Sequence, residues 1–178
     1  MPDSRSFFEL FHFPEQFALD VDLLEQRYRQ AQRSVHPDKY AASEELAQRL
    51  AVQYSSLLNE ARDTLRSPVK RANYLLGRVG RDDAGLKENT TTADPEFLMQ
   101  QIEWREELED CAQREDPLEV LDSLKRQFEE AMGGYEKEFD AAFSRRDFEA
   151  AHTNIVKMQF LSKLLAEVDM QEERLLDE

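Results

Sequence analysis

From Asp20 onward the apolar residues Val21, Leu24, Tyr28, Ala31 and Val35 recur at spacings of three and four, which is one face of an α-helix. Asp20 is a cap that opens this helix, and His36-Pro37 closes it, because a residue before proline is pushed out of the α region. A second helix is predicted from near Ala41 or Ser43, with the stripe Leu46, Leu50, Tyr54, Leu57, Ala61 and Leu65. The two stripes predict an antiparallel pair joined by the short HPDKYAA turn. Ahead of them, SFFELFHF reads as a short helical turn whose Phe7, Phe8, Leu10 and Phe11 cover the open end of the pair. Ser67-Pro68 restarts a helix through Ala72, Tyr74, Leu75 and Leu76, with Gly77 as its stop.

The stretch VGRDDAGLKENTTTAD then loses the helical period and reads as a linker. Beyond it, Asp94-Pro95 and Asp116-Pro117 each place a capping side chain before a proline at the first helical position. Asp147 gives a third start. Three helices are predicted, over 95–113, 117–144 and 148–175. The last is marked by Ala151, Ile155, Met158, Leu161, Leu165 and Val168. Gly133-Gly134 falls inside the second and suggests a kink.

Composition agrees with an all-α chain: of 178 residues only 5 are Gly and 6 are Pro. The single cysteine, Cys111, excludes an internal disulfide and a cysteine-based zinc site. Charge divides the chain. Residues 1–78 hold 11 Lys+Arg and 11 Asp+Glu, whereas residues 79–178 hold the remaining 12 and 27, so the whole net charge of −15 lies in the second part. That asymmetry suggests two units with different partners, and the acidic part should repel nucleic acid and anionic membrane. No apolar run approaches the roughly 20 residues of a membrane span. The start, MPDSRSFFEL, lacks a signal-peptide pattern, so a cytoplasmic location is expected.

The tripeptide His36-Pro37-Asp38 sits between two helices where a plain turn would use Gly or Asn. As an acid–base pair, His36 and Asp38 lack a nucleophile, a phosphate loop or a third partner. The only other histidines, His12 and His152, have no metal-ligand spacing. Pro37 fixes its own φ and restricts His36, so Asp38 is held with little freedom to lose. A fixed carboxylate suits a charged hydrogen bond to an arginine of another protein. On a wheel of about 100° per residue, Gln26, Arg29 and Arg33 lie opposite the apolar stripe of the first long helix. Such charged faces are usually just solvated. Beside a rigid tip that also bears Lys39, a polar docking surface is the better reading.

Residues 95–113 carry more apolar groups than one face needs. Phe97, Trp104, Leu108 and Cys111 cluster on one side of the wheel and are assigned to the core. Leu98, Met99 and Ile102 lie elsewhere, among Glu103, Glu106 and Asp110. Phe160 is likewise off the main stripe of the last helix. A helix in a bundle touches two neighbours, so periodicity alone is consistent with all of this being core; an apolar patch with a polar rim suggests a partner instead.

The Phe-rich first turn, the basic-faced helix, HPDK and LLNEARDTLRSPVKRANYLL together resemble a J-domain. Asn59, Glu60, Ala61, Leu65, Pro68, Arg71 and Tyr74 occupy the places of that family's usual ending, with Arg62 where Tyr is common. The blocks EFLMQQIEWREELED, KMQFLSKLL and EERLLDE extend the resemblance over nearly the whole chain, to the HscB family of J-type co-chaperones of iron–sulfur cluster biogenesis. The resemblance implies a J-domain over 1–78, a linker over 79–93 and a three-helix scaffold-binding domain over 94–178. It implies docking on an HscA-type chaperone ATPase through Arg29, Arg33, His36, Pro37, Asp38 and Lys39, with stimulation of that ATPase. It implies that Leu98, Met99, Ile102, Glu103, Glu106, Asp110 and Phe160 hold an IscU-type iron–sulfur scaffold protein. A bundle that binds clients in general, or that dimerises, is the alternative. Some eukaryotic members carry an N-terminal tetracysteine site; its cysteines are missing here, so no metal or other cofactor is expected, and no catalytic residue.

Overall fold

The computed structural model describes residues 5–35, 45–80 and 94–177, and among them there are helices and connections but no strand. The chain divides into two compact units, Met1–Gly80 and Arg81–Glu178.

Unit 1 contains α1 (Phe7–Leu10), α2 (Val21–Val35), α3 (Glu45–Arg66) and α4 (Pro68–Arg78). A capping box starts α1: Ser6 Oγ accepts from Glu9 N–H, and the Glu9 carboxylate accepts from Ser6 N–H at 2.6 Å. The helix ends as soon as His12 takes a left-handed φ of 57°, with Phe13 N–H bonded back to Phe8 C=O and His12 N–H to Glu9 C=O. This tight reversal drives Phe8, Leu10 and Phe11 into the core beside Leu24, Leu58, Ala61 and Leu65. Asp20 caps α2 through Leu23 N–H, as its position predicts.

The predicted stripe of α3 is wrong in its first half. Leu46 and Leu50 are 67% and 55% exposed, and the buried line is Ala51, Leu58, Ala61 and Leu65. Adjacent apolar pairs at 50–51 and 57–58 allow two rotations of the helix. Polar bridges to α2 select one: Ser55 bonds Gln32, Asn59 Oδ1 accepts from Tyr28 and Gln32, and Arg62 grips Glu25. Helix α4 starts at Ser67-Pro68 as predicted, but Gly77 does not stop it. The chain turns three residues later at Gly80, whose φ is 71° and whose N–H reaches Gly77 C=O. A left-handed cap of this kind favours the residue without a Cβ.

Unit 2 contains α5 (Pro95–Asp110), a 3₁₀ turn (Cys111–Gln113), α6 (Pro117–Ser144) and α7 (Phe148–Asp177). Helices α6 and α7 form a long hairpin, and α5 lies on it. The aspartate caps work as read: Asp94 accepts from the N–H groups of Glu96 and Phe97, Asp116 from Glu119 and Asp147 from Ala150. Phe97, Trp104, Leu108 and Cys111 are all buried, against Leu121, Leu124, Phe128, Leu161, Leu164 and Val168. On α7 the buried residue is Leu164, not Leu165, which is half-buried at the edge of the core. Helix α6 runs unbroken through Gly133 and Gly134, neither of which has a positive φ.

Candidate partner-docking sites

In unit 1 most residues of the NEARDTLRSPVKRANY stretch clamp the fold. Arg62 places Nε 2.9 and 3.0 Å from the two Glu25 carboxylate oxygens and its guanidinium over the Tyr28 ring. That bond raises its already high pKa. Arg71 is only 5% exposed; its Nη1 donates to Leu65 C=O at 2.6 Å, and it stacks on Phe17. A buried arginine on the last carbonyls of α3 fixes the α3–α4 corner. Tyr74 accepts from Phe7 N–H at 2.9 Å and lies flat against the Phe7 ring, 4.5 Å away. These contacts hold α2 and α3 as a rigid pair. Gln26, Arg29 and Arg33 stand exposed on the outer face of α2, the side opposite Leu24. His36, Pro37, Asp38 and Lys39 lie outside the described residues, as does 81–93 of the expected linker.

A cleft of about 370 Å³ opens between α1, α2 and α3. Its arginines are already engaged: Arg27 Nη1 donates to Phe11 C=O and His12 C=O, and Arg5 donates to Tyr54 Oη. Among the described residues no carboxylate lines it and none pairs there with His12. Among the described residues no group of three or more His, Cys, Asp or Glu side chains is arranged to hold a metal ion, and no helix is long and apolar enough to cross a membrane.

In unit 2 the apolar residues that the wheel separates from the core do stand apart from it. Met99 is 60% and Ile102 52% exposed, while Leu98 is half-buried. Glu103, Glu106 and Asp110 are exposed one turn apart along the same helix. Phe160 occupies a different position from these. It is half-buried, edge-on to Phe97 at 5.8 Å and stacked beside Trp104 at 6.4 Å, so it is partly a core side chain. The Arg105 guanidinium sits 5.8 Å above its ring. Phe160 thus brings α7 to the side of α5 while staying partly exposed. Gln100 Nε2 donates to the Glu103 carboxylate at 3.2 Å and steadies it. Cys111 is fully buried, 3.7 Å from Gln171 Oε1, and burial pushes its thiol pKa up. It is an inert core residue.

Two residues escape the helical wheel, which sees one helix at a time. Arg105 looks like one more exposed charge, and Lys157 like a solvated one. Lys157 instead reaches across to Asp94 at 2.7 Å and lies over the rings of Phe97 and Tyr135. The Lys157 bond, with the Phe97 N–H, holds the Asp94 carboxyl below its ordinary value. Burial pushes the Tyr135 phenol up.

Two helical units, one braced like a J-domain and one a bundle with an exposed apolar and acidic face, have the architecture of a J-type co-chaperone. Residues 93–169 match a family model described as the HSCB C-terminal oligomerisation domain. A relative from Shewanella loihica, a co-chaperone protein HscB homolog, is 38% identical over 96% of this chain and 99% of its own. Among solved structures, chaperone HscB from Vibrio cholerae superposes with a TM-score of 0.82 at 34% identity, covering 96% of this chain and 99% of that one. Human co-chaperone HscB gives 0.85 at 26% identity, over 97% and 84%. The chain belongs to the HscB co-chaperone family. Its place is therefore that of a regulator acting with a chaperone.

Proposed function

We propose that this protein couples an HscA-type chaperone ATPase to an IscU-type iron–sulfur scaffold protein, in the cytoplasm. Residues 1–78 act as the J-domain. Arg29 and Arg33 on α2, with the His36-Pro37-Asp38 tip and Lys39, dock on the ATPase and stimulate its hydrolysis. Residues 79–93 link this domain to the scaffold-binding domain, 94–178. There Leu98, Met99, Ile102 and Phe160 supply apolar contact, and Glu103, Glu106 and Asp110 supply an acidic rim. The protein contributes no reacting group; it acts by linkage, favouring the ATPase state that closes on its client and raising the client's local concentration.

The observation that carries the reading is the pair Met99 and Ile102, more than half exposed on a helix whose opposite side fills the core. Large apolar side chains held in water beside carboxylates fit a partner surface. Changing Leu98, Met99 and Phe160 together to Ala should weaken scaffold binding by at least about tenfold, the scale of hot-spot loss, and leave ATPase stimulation without scaffold intact. His36→Gln should do the converse. If each variant loses both properties, the two-site reading is wrong. The family model's description as an oligomerisation domain favours a second reading, in which the bundle pairs with another copy. Sedimentation over a range of concentrations separates the two.

A further inference from the structure

The first two turns of α5 carry Leu98, Met99 and Ile102 yet are weakly anchored. Phe97 is their only buried side chain; the next is Trp104. At this thin point three helices meet around one lysine. Lys157 of α7 is 14% exposed; its Nζ lies 2.7 Å from the Asp94 carboxylate that caps α5. The same Nζ is 5.3 Å from the centre of the Phe97 ring and 5.2 Å from that of Tyr135 on α6, and those two rings meet edge-to-face at 5.8 Å. Phe97 also packs edge-on against Phe160, one turn along α7 from Lys157.

We infer that Lys157 is a positioning residue for scaffold binding: by clasping Asp94, Phe97 and Tyr135 it fixes the start of α5 against α7 and so sets the spacing between Leu98, Met99 and Ile102 on one helix and Phe160 on the other. Lys157 itself is mostly covered and offers little to a partner. Its effect is to remove the ordering that binding would otherwise have to impose on α5. A cation over two rings and beside a capping carboxylate is well suited to this, since Asp94 and Phe97 tie it to α5 and Tyr135 ties it to α6. The inference rests on the docking reading above.

The test uses the full-length protein and a purified IscU-type scaffold protein. Lys157→Met retains the apolar stem and removes the charge; Asp94→Asn keeps a capping oxygen and removes the partner. Each should weaken scaffold affinity by about 3–10-fold, the range expected when a preformed surface must be reordered. Amide hydrogen exchange should accelerate over Asp94–Ile102 while the amides of α6 and α7 stay protected. The inference is overturned if Lys157→Met binds normally, or if it weakens binding while loosening the whole bundle equally. The Leu98, Met99 and Phe160 triple variant runs alongside. If it binds as wild type, the docking reading falls and this inference with it; if it fails to bind while Lys157→Met binds normally, only the clasp is refuted.

Discussion

Replacing Gly133 and Gly134 with alanine should make the second unit more stable. Both glycines lie in the interior of α6, which spans Pro117–Ser144 without interruption, and neither has a positive φ. A Cβ built on either one meets nothing within 4 Å. No steric reason therefore requires glycine at either position. Glycine in a helix interior costs roughly 0.5–1 kcal/mol relative to alanine, because the unfolded chain has more freedom to lose. The two positions point about 100° apart and share no new contact, so their effects should add to about 1–2 kcal/mol. In a unit of about a hundred residues, each kcal/mol moves the melting temperature by roughly 4–8 °C. Thermal melting followed by circular dichroism should show a rise of at least about 4 °C for the double variant. Urea unfolding should show a higher midpoint with an unchanged slope. An unchanged or lowered melting temperature would refute the reasoning. It would mean that something other than backbone freedom, such as bending of α6 on binding, keeps these residues glycine.

Arg71→Met should destabilise unit 1 by about 1–3 kcal/mol in urea unfolding, since it removes a charge-assisted bond to the Leu65 carbonyl while keeping most of the volume; a change below about 0.5 kcal/mol would deny the α3–α4 corner its brace. Arg146 has a φ of 61° at the α6–α7 turn, so Arg146→Gly should stabilise the hairpin by about 1 kcal/mol, and a loss of stability would show that the arginine side chain matters more than its backbone. The Asp94 carboxyl, followed by carbon-13 NMR, should titrate below the ordinary 3.8 because the Lys157 ammonium favours its charged form. A lowered folded value gives stabilisation that is present above the ordinary pKa and lost as pH falls through the folded one. Lys157→Met should move the midpoint back up, and titration at or above 3.8 in the wild type would contradict the clasp.

The sequence by itself determined the helices and, among the described residues, their starts at Asp20, Ser67, Asp94, Asp116 and Asp147; the expected start near Ala41 or Ser43 lies outside those residues. Asp20, Asp94, Asp116 and Asp147 are local signals, because a capping carboxylate needs only the backbone N–H groups two or three residues ahead. The core side of α5 was equally legible, since Phe97, Trp104, Leu108 and Cys111 fall on one arc of a single helix. Where two apolar residues are adjacent, periodicity cannot choose between them. Leu50 and Ala51, and Leu164 and Leu165, were decided by neighbouring helices: the polar bridges to α2 in one case and the edge of the bundle core in the other. Only tertiary structure could place Phe160 against Phe97 and Trp104, or turn Lys157 from a surface charge into a tie between three helices. The ties from α7 to Asp94 and Phe97 join residues 63 positions apart, and a pattern read along one helix contains no information about which side chain of another helix will meet it.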